Sequence, residues 1–456
     1  MTFNKFMSLL AGPALILAGC DKQTTQLAQG WSPPIKITDT KDSLVGGVVL
    51  YKWHNAVFAL QPQDDMSAKC FLLSSNSSWA EVPLTGVPGG YFWYRPGMDE
   101  DRHRVCFEKS YLENNQLVLP VLVGQMTING GFAVHEVTER QWHTDTKSLF
   151  GTTRPNVTLS EPGRRDWPGL GISLINGQDL YYPYCLFGFE VTHSGSQLRV
   201  DSSKGPSING VFHSTDSGAT WQIERISELQ AWSPSICRST GYYYYFAATM
   251  VARQGDQLWF TRKPLGANSW GPPVAVVTTY GSSYIAASQD DLVHLCWLDR
   301  RHEKHRLNLT YPDRHNFEVA YCYRKDSDAN WSHDVILSEG LLYAFSPSMS
   351  VEGDRIVVAW SGVKTAKDWH APAFPNDIYY VTSADKGKTW TKPLRVTDNL
   401  SAGITAGEPK VLLLNGVIHL CYIQGKLRLK QESPGLTRLN QPPWPNYYKQ
   451  RPFPPK

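Results

Sequence analysis

The 456-residue chain has almost no net charge, with 44 Lys and Arg against 41 Asp and Glu. That near balance excludes an acidic disordered tail and gives no general reason to expect a nucleic-acid partner. The chain also lacks the short motifs of common chemistries: no phosphate-cradling glycine loop, no HExxH, no EF-hand loop and no G-x-S-x-G elbow. No two cysteines have the CxxC spacing, which argues against a thiolate zinc site. Beyond the first twenty residues no stretch is apolar for long enough to cross a membrane. With 36 Gly and 30 Pro scattered throughout, long helices are not expected either. Aromatic residues, by contrast, are plentiful: 16 Trp, 22 Tyr and 17 Phe can fill a large core in a turn-rich, all-β protein.

The first twenty residues carry an address. Lys5 precedes an apolar run over residues 6–18, too short to span a bilayer with margin. The run ends in Leu17-Ala18-Gly19-Cys20, which resembles the lipobox of bacterial lipoproteins. The resemblance implies removal of a signal peptide over 1–19, acylation of Cys20, a polar tether over 20–30, and a membrane partner through the lipid. The expected location is the cell envelope, or outside the cell. Seven cysteines remain after Cys20, an odd number set in strand-like runs, and they read as small buried hydrophobes.

Two segments repeat closely: Ser214-Thr215-Asp216-Ser217-Gly218-Ala219-Thr220-Trp221 and Ser383-Ala384-Asp385-Lys386-Gly387-Lys388-Thr389-Trp390. Both fit S-x-D-x-G-x-T-W. The Asp can accept backbone N–H bonds in a tight turn, the Gly supplies a positive φ, and the Trp packs between repeats. The motif resembles the Asp box of sialidase-like β-propellers. Degenerate copies follow through Trp31, Trp79, Trp142, Trp221, Trp270, Trp331 and Trp390, with Trp142 the least regular. Seven markers predict an all-β, seven-bladed β-propeller over residues 31–431. The strand after Trp31 lacks a blade of its own, whereas KVLLLNG, VIHLCYI and KLRLKQ near the end lack a fourth strand. Pairing the N-terminal strand with these three closes the ring and removes open edges. The Pro- and aromatic-rich tail, 432–456, is expected to wrap the outside.

In a four-stranded blade the Asp-box turn joins the third and fourth strands, so second-to-third loops and inter-blade links must share the opposite face. Those segments hold His193, Arg199 and Lys204; Arg253; Arg300, Arg301, His302, Lys304, His305, Arg306, Arg314 and His315; and Lys364, Lys367 and His370. The links add Arg164, Arg165, Tyr280, Tyr284 and Tyr343. Only Asp299, Glu303 and Asp313 offset the richest loop. A funnel lined by one sign concentrates oppositely charged ligands, and Arg forks match carboxylate and sulfate. The expected partner is an acidic polysaccharide, bound by a monomer. His213, next to the Asp-box turn, belongs to the other face and reads as structural.

Three activities fit such a mouth. Pro168-Gly169-Leu170-Gly171-Ile172 and Asn176-Gly177-Gln178-Asp179-Leu180-Tyr181-Tyr182-Pro183 look like a blade of exo-sialidases, which implies glycoside hydrolysis. However, the F/Y-R-I-P motif of that family is missing, Tyr94-Arg95-Pro96 being misplaced, and Ser233-Pro234-Ser235 stands where a Ser-Glu is usual. The architecture also looks like that of seven-bladed polysaccharide lyases such as ulvan lyases, which implies β-elimination on a uronate. That reaction needs a neutralised carboxylate and proton transfer by groups such as His and Tyr, but no carboxylate pair. Here His193 is expected to transfer the proton with Tyr184 or Tyr245 as partner. Arg253 and Arg199 would hold the uronate, with Arg306, His302 and Arg164 as further contacts. No cofactor is required; a structural divalent metal stays open, for which His302 and His305 alone are a weak signal. The third activity is glycan binding without catalysis.

Overall fold

The computed structural model describes the chain from residue 29 to residue 455, apart from 39–47, 63–67, 87–96, 109–110, 114–115, 129–131, 146–156, 159–168, 171–173, 188, 195–196, 202–206, 230, 250–255, 302–316, 365–375, 400–403, 426–427, 433–435 and 441–444. Every regular element among the described residues is a strand. Short alternating runs punctuated by Gly, Pro and Asn favour this outcome, because half-buried strands accept β-branched and aromatic residues on both faces.

The strands form seven antiparallel blades in chain order. Blade 1 is Val49–Trp53, Ala56–Pro62, Ala68–Leu73 and Trp79–Val82. Blade 2 is built on Gly97–Asp99, Arg104–Glu108, Gln116–Ile128 and Phe132–Asp145. Blade 3 has a split first strand (Gly169–Leu170 and Leu174–Asn176), then Asp179–Phe187, Ser207–Ser214 and Gln222–Ser227. Blade 4 is Ala231–Arg238, Tyr242–Thr249, Asp256–Pro264 and the first half of Val274–Gln289. The second half of that strand opens blade 5, with Leu292–Asp299, Glu318–Lys325 and Val335–Ile336. Blade 6 is Tyr343–Glu352, Arg355–Val363, Asp377–Ser383 and Leu394–Arg395.

Blade 7 closes the ring in the order Ile35–Thr38, Asn446–Pro452, Val417–Gly425, Thr405–Leu414. The N-terminal strand does complete the last blade, pairing Ile35 with Tyr448 and Lys36 with Tyr447. Its neighbour, though, is not the KLRLKQ segment. Arg428–Glu432 instead pairs with Leu436–Asn440 in a separate two-stranded hairpin. The third strand comes from the C-terminal tail, so the expected propeller boundary at 431 and the outer wrapping of 432–456 are both corrected. The physical reason is burial. Tyr448 is wholly buried, packs edge-on against Trp79 of blade 1 at 5.1 Å, and its hydroxyl meets His419 Nδ1 at 2.7 Å while donating to Gln450 Oε1 at 2.7 Å.

The two S-x-D-x-G-x-T-W turns join third to fourth strands, as the repeat requires. In each, the Asp oxygen accepts from the Thr backbone N–H (2.8 Å at Asp216, 2.9 Å at Asp385) and the Ser hydroxyl accepts from the Gly N–H. The Trp indole closes the turn by donating to the Gly carbonyl at 3.1 Å in both. Gly387 has two reasons to be glycine: φ is +84°, and an added Cβ would fall 2.0 Å from the Tyr321 hydroxyl. Trp390 then packs on Tyr321 of blade 5 at 4.7 Å, and Trp31 on Tyr380 of blade 6 at 5.3 Å. Trp142 differs because it lies within a fourth strand rather than after a turn, and packs forward on Phe212 of blade 3 at 5.4 Å.

These turns share a face with the first hairpin of each blade. Ser217 N–H donates to Gln178 O, Asp326 N–H to Asp291 O and Lys386 N–H to Asp354 O, each at 2.9 Å. Carboxylates latch neighbouring hairpins here: Asp99 accepts from Gly177 N–H at 2.7 Å, and Glu352 from Asn415 N–H at 2.7 Å and Gly416 N–H at 2.9 Å. The second-to-third connections therefore leave from the opposite face, which is the mouth.

Candidate functional site

The mouth is built where first strands begin. There Ala344 N–H donates to Phe317 O at 2.9 Å, and Ala406 N–H to Asn376 O at 3.0 Å, so the first strands of blades 6 and 7 are tied to the residue just before the third strand of the preceding blade.

First strands of four successive blades bulge near this end. In blade 4 the register jumps between Trp232 and Ser235, in blade 6 between Phe345 and Ser348, and in blade 7 between Gly407 and Lys410. Two residues oppose one in each case: Ser233-Pro234, Ser346-Pro347 and Glu408-Pro409. Ser233, Ser346 and Glu408 hold left-handed φ values of 49°, 51° and 48°. In blade 5 the register jumps between Tyr280 and Tyr284. The Tyr284 hydroxyl reaches across to blade 4 and donates to the carbonyls of Ser233 and Phe246, the second at 3.1 Å.

The sequence candidates meet different fates. His193 lies on Phe189–Ser194 and Arg199 on Gln197–Asp201, which pair as a hairpin placing Thr192 opposite Arg199 and His193 opposite Leu198. Val157–Thr158 adds a third strand to that hairpin. This small sheet interrupts blade 3 between its second and third strands, so His193 and Arg199 lie on one mouth-side hairpin, at register positions of opposite face. Arg164, Arg253, His302 and Arg306 lie outside the described residues, as does Cys20. The segments holding Arg253, and His302 with Arg306, join second to third strands of blades 4 and 5.

Tyr184 and Tyr245 are corrected. Both are wholly buried between blades, Tyr184 stacked on Phe212 at 4.3 Å and Tyr245 against Trp259 at 5.6 Å. Tyr245 donates to the Tyr184 carbonyl at 2.9 Å. Burial raises both phenols above their ordinary range. A phenol sealed from solvent can neither meet a polysaccharide nor exchange protons with it, so neither is a proton-transfer partner. The aromatic second strand of a blade packs on both faces, and that use of Tyr prevails here.

Arg301, one of the expected rim cations, is committed elsewhere. It bonds Asp299 through Nε at 3.0 Å and Nη2 at 2.6 Å, and Asp334 through Nη1 at 2.5 Å. His213 is structural, as expected. It meets Glu224 at 2.9 Å in a buried group in which Lys263 and the Trp270 indole also donate to Glu224.

Two acids escaped the sequence reading. Glu408 sits on a mouth-side bulge, and the alignment of AWSPSIC, AFSPSMS and AGEPKVL was the signal that could have found it. Asp377 opens the third strand of blade 6. It accepts from Thr397 Oγ1 and Asn399 N–H, each at 2.8 Å. Burial nevertheless lifts its carboxyl to about 6, against the lowering effect of those bonds and of Arg395. No local pattern distinguishes it. Among the described residues no group of three or more His, Cys, Asp or Glu is placed to hold a metal ion; His302 and His305 lie outside them.

No family model matches the chain, and no curated protein matches it. Among solved structures, it is similar to the polysaccharide lyase Uly1, with TM-score 0.48 and 8% identity over 93% of this chain and 100% of that one. A polysaccharide lyase described as an ulvan lyase gives TM-score 0.48 and 8% identity over 86% and 93%. The intramolecular trans-sialidase of Ruminococcus gnavus gives 0.38 and 10% over 92% and 96%. The class of protein that the strand topology itself defines is a seven-bladed β-propeller.

Proposed function

We propose that the protein acts on an acidic, uronate-containing polysaccharide at the mouth of the propeller, cleaving it by β-elimination. The observation that supports this reading is strand order: the second strands of blades 3 to 6 end, and their third strands begin, on the mouth face, so the cation-bearing segments between them belong to that face. Arg199 and Arg253 would pair with the uronate carboxylate and stabilise the charge that develops there as the C5 proton leaves. His193 takes that proton. With Tyr184 and Tyr245 buried, the same imidazole, once protonated, can return a proton to the glycosidic oxygen departing from C4. Arg164, His302 and Arg306 would contact flanking sugars or sulfates. The lipobox-like Cys20 would tether the enzyme to the cell envelope.

The test is a panel of acidic polysaccharides followed by absorbance near 235 nm (about the wavelength of an unsaturated uronyl product) and by reducing ends together. Elimination gives both signals. New reducing ends without absorbance would mean hydrolysis, and calorimetric binding with neither would mean a non-catalytic binder. His193→Ala should abolish the absorbance signal while leaving the melting temperature unchanged; full retained activity would remove His193 from the site.

A further inference from the structure

Two histidines from different blades meet on the face opposite the mouth. His54 lies in the first hairpin of blade 1, between Val49–Trp53 and Ala56–Pro62, and His103 in the first hairpin of blade 2, just before Arg104–Glu108. Both are exposed, and both hold left-handed φ, 51° and 54°. His54 Nε2 and His103 Nδ1 stand 3.3 Å apart, with ring centres at 4.8 Å. Trp53, buried beneath them, packs edge-on against both imidazoles at 5.4 and 6.2 Å, and Met126 N–H donates to His103 O at 2.8 Å.

The turn face is loosely closed at this junction. Elsewhere the carboxylate latches between neighbouring hairpins are short: 2.7 Å from Asp99 to Gly177 N–H, 2.9 Å from Asp326 to Gly241 N–H, and 2.7 and 2.9 Å from Glu352 to the blade 7 hairpin. Between blades 1 and 2, Glu100 accepts from His54 N–H at 3.3 Å. The blade 1 turn from Ser74 to Trp79 is also two residues shorter than the Asp-box turn from Ser214 to Trp221. Beside it opens a cavity of about 790 Å³, whose wall includes both histidines, Ser74, Ser75 and Asn415.

The separation of the two nitrogens selects a ligand. A hydrogen bond between them would ordinarily close to about 3 Å, shorter than the gap seen. Two imidazoles on one tetrahedral Zn²⁺, with Zn–N near 2.0–2.1 Å, place their nitrogens about 3.3 Å and their ring centres about 5 Å apart. Hard cations such as Ca²⁺ and Mg²⁺ take oxygen ligands and have no use for the pair.

We infer that His54 and His103 form a zinc site that ties blade 1 to blade 2 on the turn face. His54 Nε2 and His103 Nδ1 are its protein ligands. Among the described residues no third His, Cys, Asp or Glu joins them, so water from the cavity completes the shell and the ion exchanges freely. The site lies on the face opposite the mouth and is independent of the glycan reading. Its effect is on the ring: an ion held by two blades favours the folded chain over the unfolded one.

The test uses the full chain without an affinity tag, titrated with ZnCl₂ against a chromogenic chelator. His54→Asn and His103→Asn remove one ligand each, and Asn accepts the left-handed backbone at both hairpin positions, so their metal-free melting temperatures should match the parent's. The parent should bind one Zn²⁺ that both variants bind at least tenfold more weakly. At a hundredfold excess over its dissociation constant, Zn²⁺ should raise the melting temperature of the parent by about 3 °C and of neither variant. Co²⁺ in place of Zn²⁺ should give the intense visible bands of tetrahedral coordination in the parent alone. A parent that binds no Zn²⁺, or binds it as tightly as both variants do, overturns the site. Loss in only one variant also overturns it, since the ion would then rest on a single histidine.

Discussion

Tyr184 and Tyr245 show how one residue type serves two purposes that the sequence cannot separate. Both sit in aromatic second strands close in sequence to mouth loops, yet both are sealed between blades. Their phenylalanine variants should keep full activity on any substrate found. Tyr245→Phe should cost about 1 kcal/mol in denaturant unfolding, because the hydrogen bond to the Tyr184 carbonyl is lost. Tyr184→Phe should cost less or even stabilise, since that hydroxyl is buried with no hydrogen-bond partner among the described residues. Asp377 makes a second residue-scale test. Its carboxyl is raised from 3.8 to about 6 by burial, so the folded state holds its proton longer than the unfolded state. The associated stability is present below about pH 4 and is lost as pH rises through 6. Relative to the parent, Asp377→Asn should therefore gain up to about 3 kcal/mol between pH 4 and pH 6, measured as the difference in urea unfolding at each pH.

At the scale of elements, one blade unit recurs with its chemistry intact. His294-Leu295-Cys296-Trp297 and His419-Leu420-Cys421-Tyr422 occupy the second strands of blades 5 and 7. In both, the His Nδ1 meets a third-strand Tyr hydroxyl at 2.7 Å, Tyr321 in one and Tyr448 in the other. Burial lowers both imidazoles to about 4. A depressed histidine favours the folded state above its unfolded value near 6.5, and that contribution is lost as pH falls towards 4. Each can cost up to about 3 kcal/mol across this window, so the parent should destabilise steeply there and His419→Gln less steeply. Turns and strands were legible in the sequence because their signals are local: Asp216 and Asp385 carry the same turn, and the alternating runs around them are strands. The bulges at Ser233, Ser346 and Glu408 were written in the chain as repeated Ser-Pro or Glu-Pro steps. Their place in the ladder was not, because a bulge exists only relative to the strand it pairs with.

The whole molecule is a ring, and its weakest point is its closure. Removing residues 432–456 would take away Asn446–Pro452, which separates Ile35–Thr38 from Val417–Gly425 in blade 7. It would also strip Tyr448 from Trp79 and expose two strand edges. The truncated chain should be insoluble or lack a cooperative unfolding transition, as read by urea titration with tryptophan fluorescence. The seven described cysteines, by contrast, are all buried and none forms a disulfide. Burial pushes Cys70, Cys185 and Cys237 up to about 12, so at neutral pH they remain inert thiols. A reducing agent should leave the melting temperature unchanged.

The amino-acid sequence by itself determined the all-β class, the seven repeats and the joining of the N-terminal strand to the last blade. It did so because turn chemistry and two-residue alternation act over a few neighbours. It also placed His193 and Arg199 in one mouth-side connection, which follows from strand order alone. Only the tertiary structure decided which C-terminal segment fills the third position of blade 7, since two segments of similar pattern compete and only Tyr448 finds both Trp79 and His419. It alone removed Tyr184 and Tyr245 from the mouth and committed Arg301 to Asp299 and Asp334. Burial and ion pairing depend on what distant parts of the chain bring to the same place, and no local pattern records that.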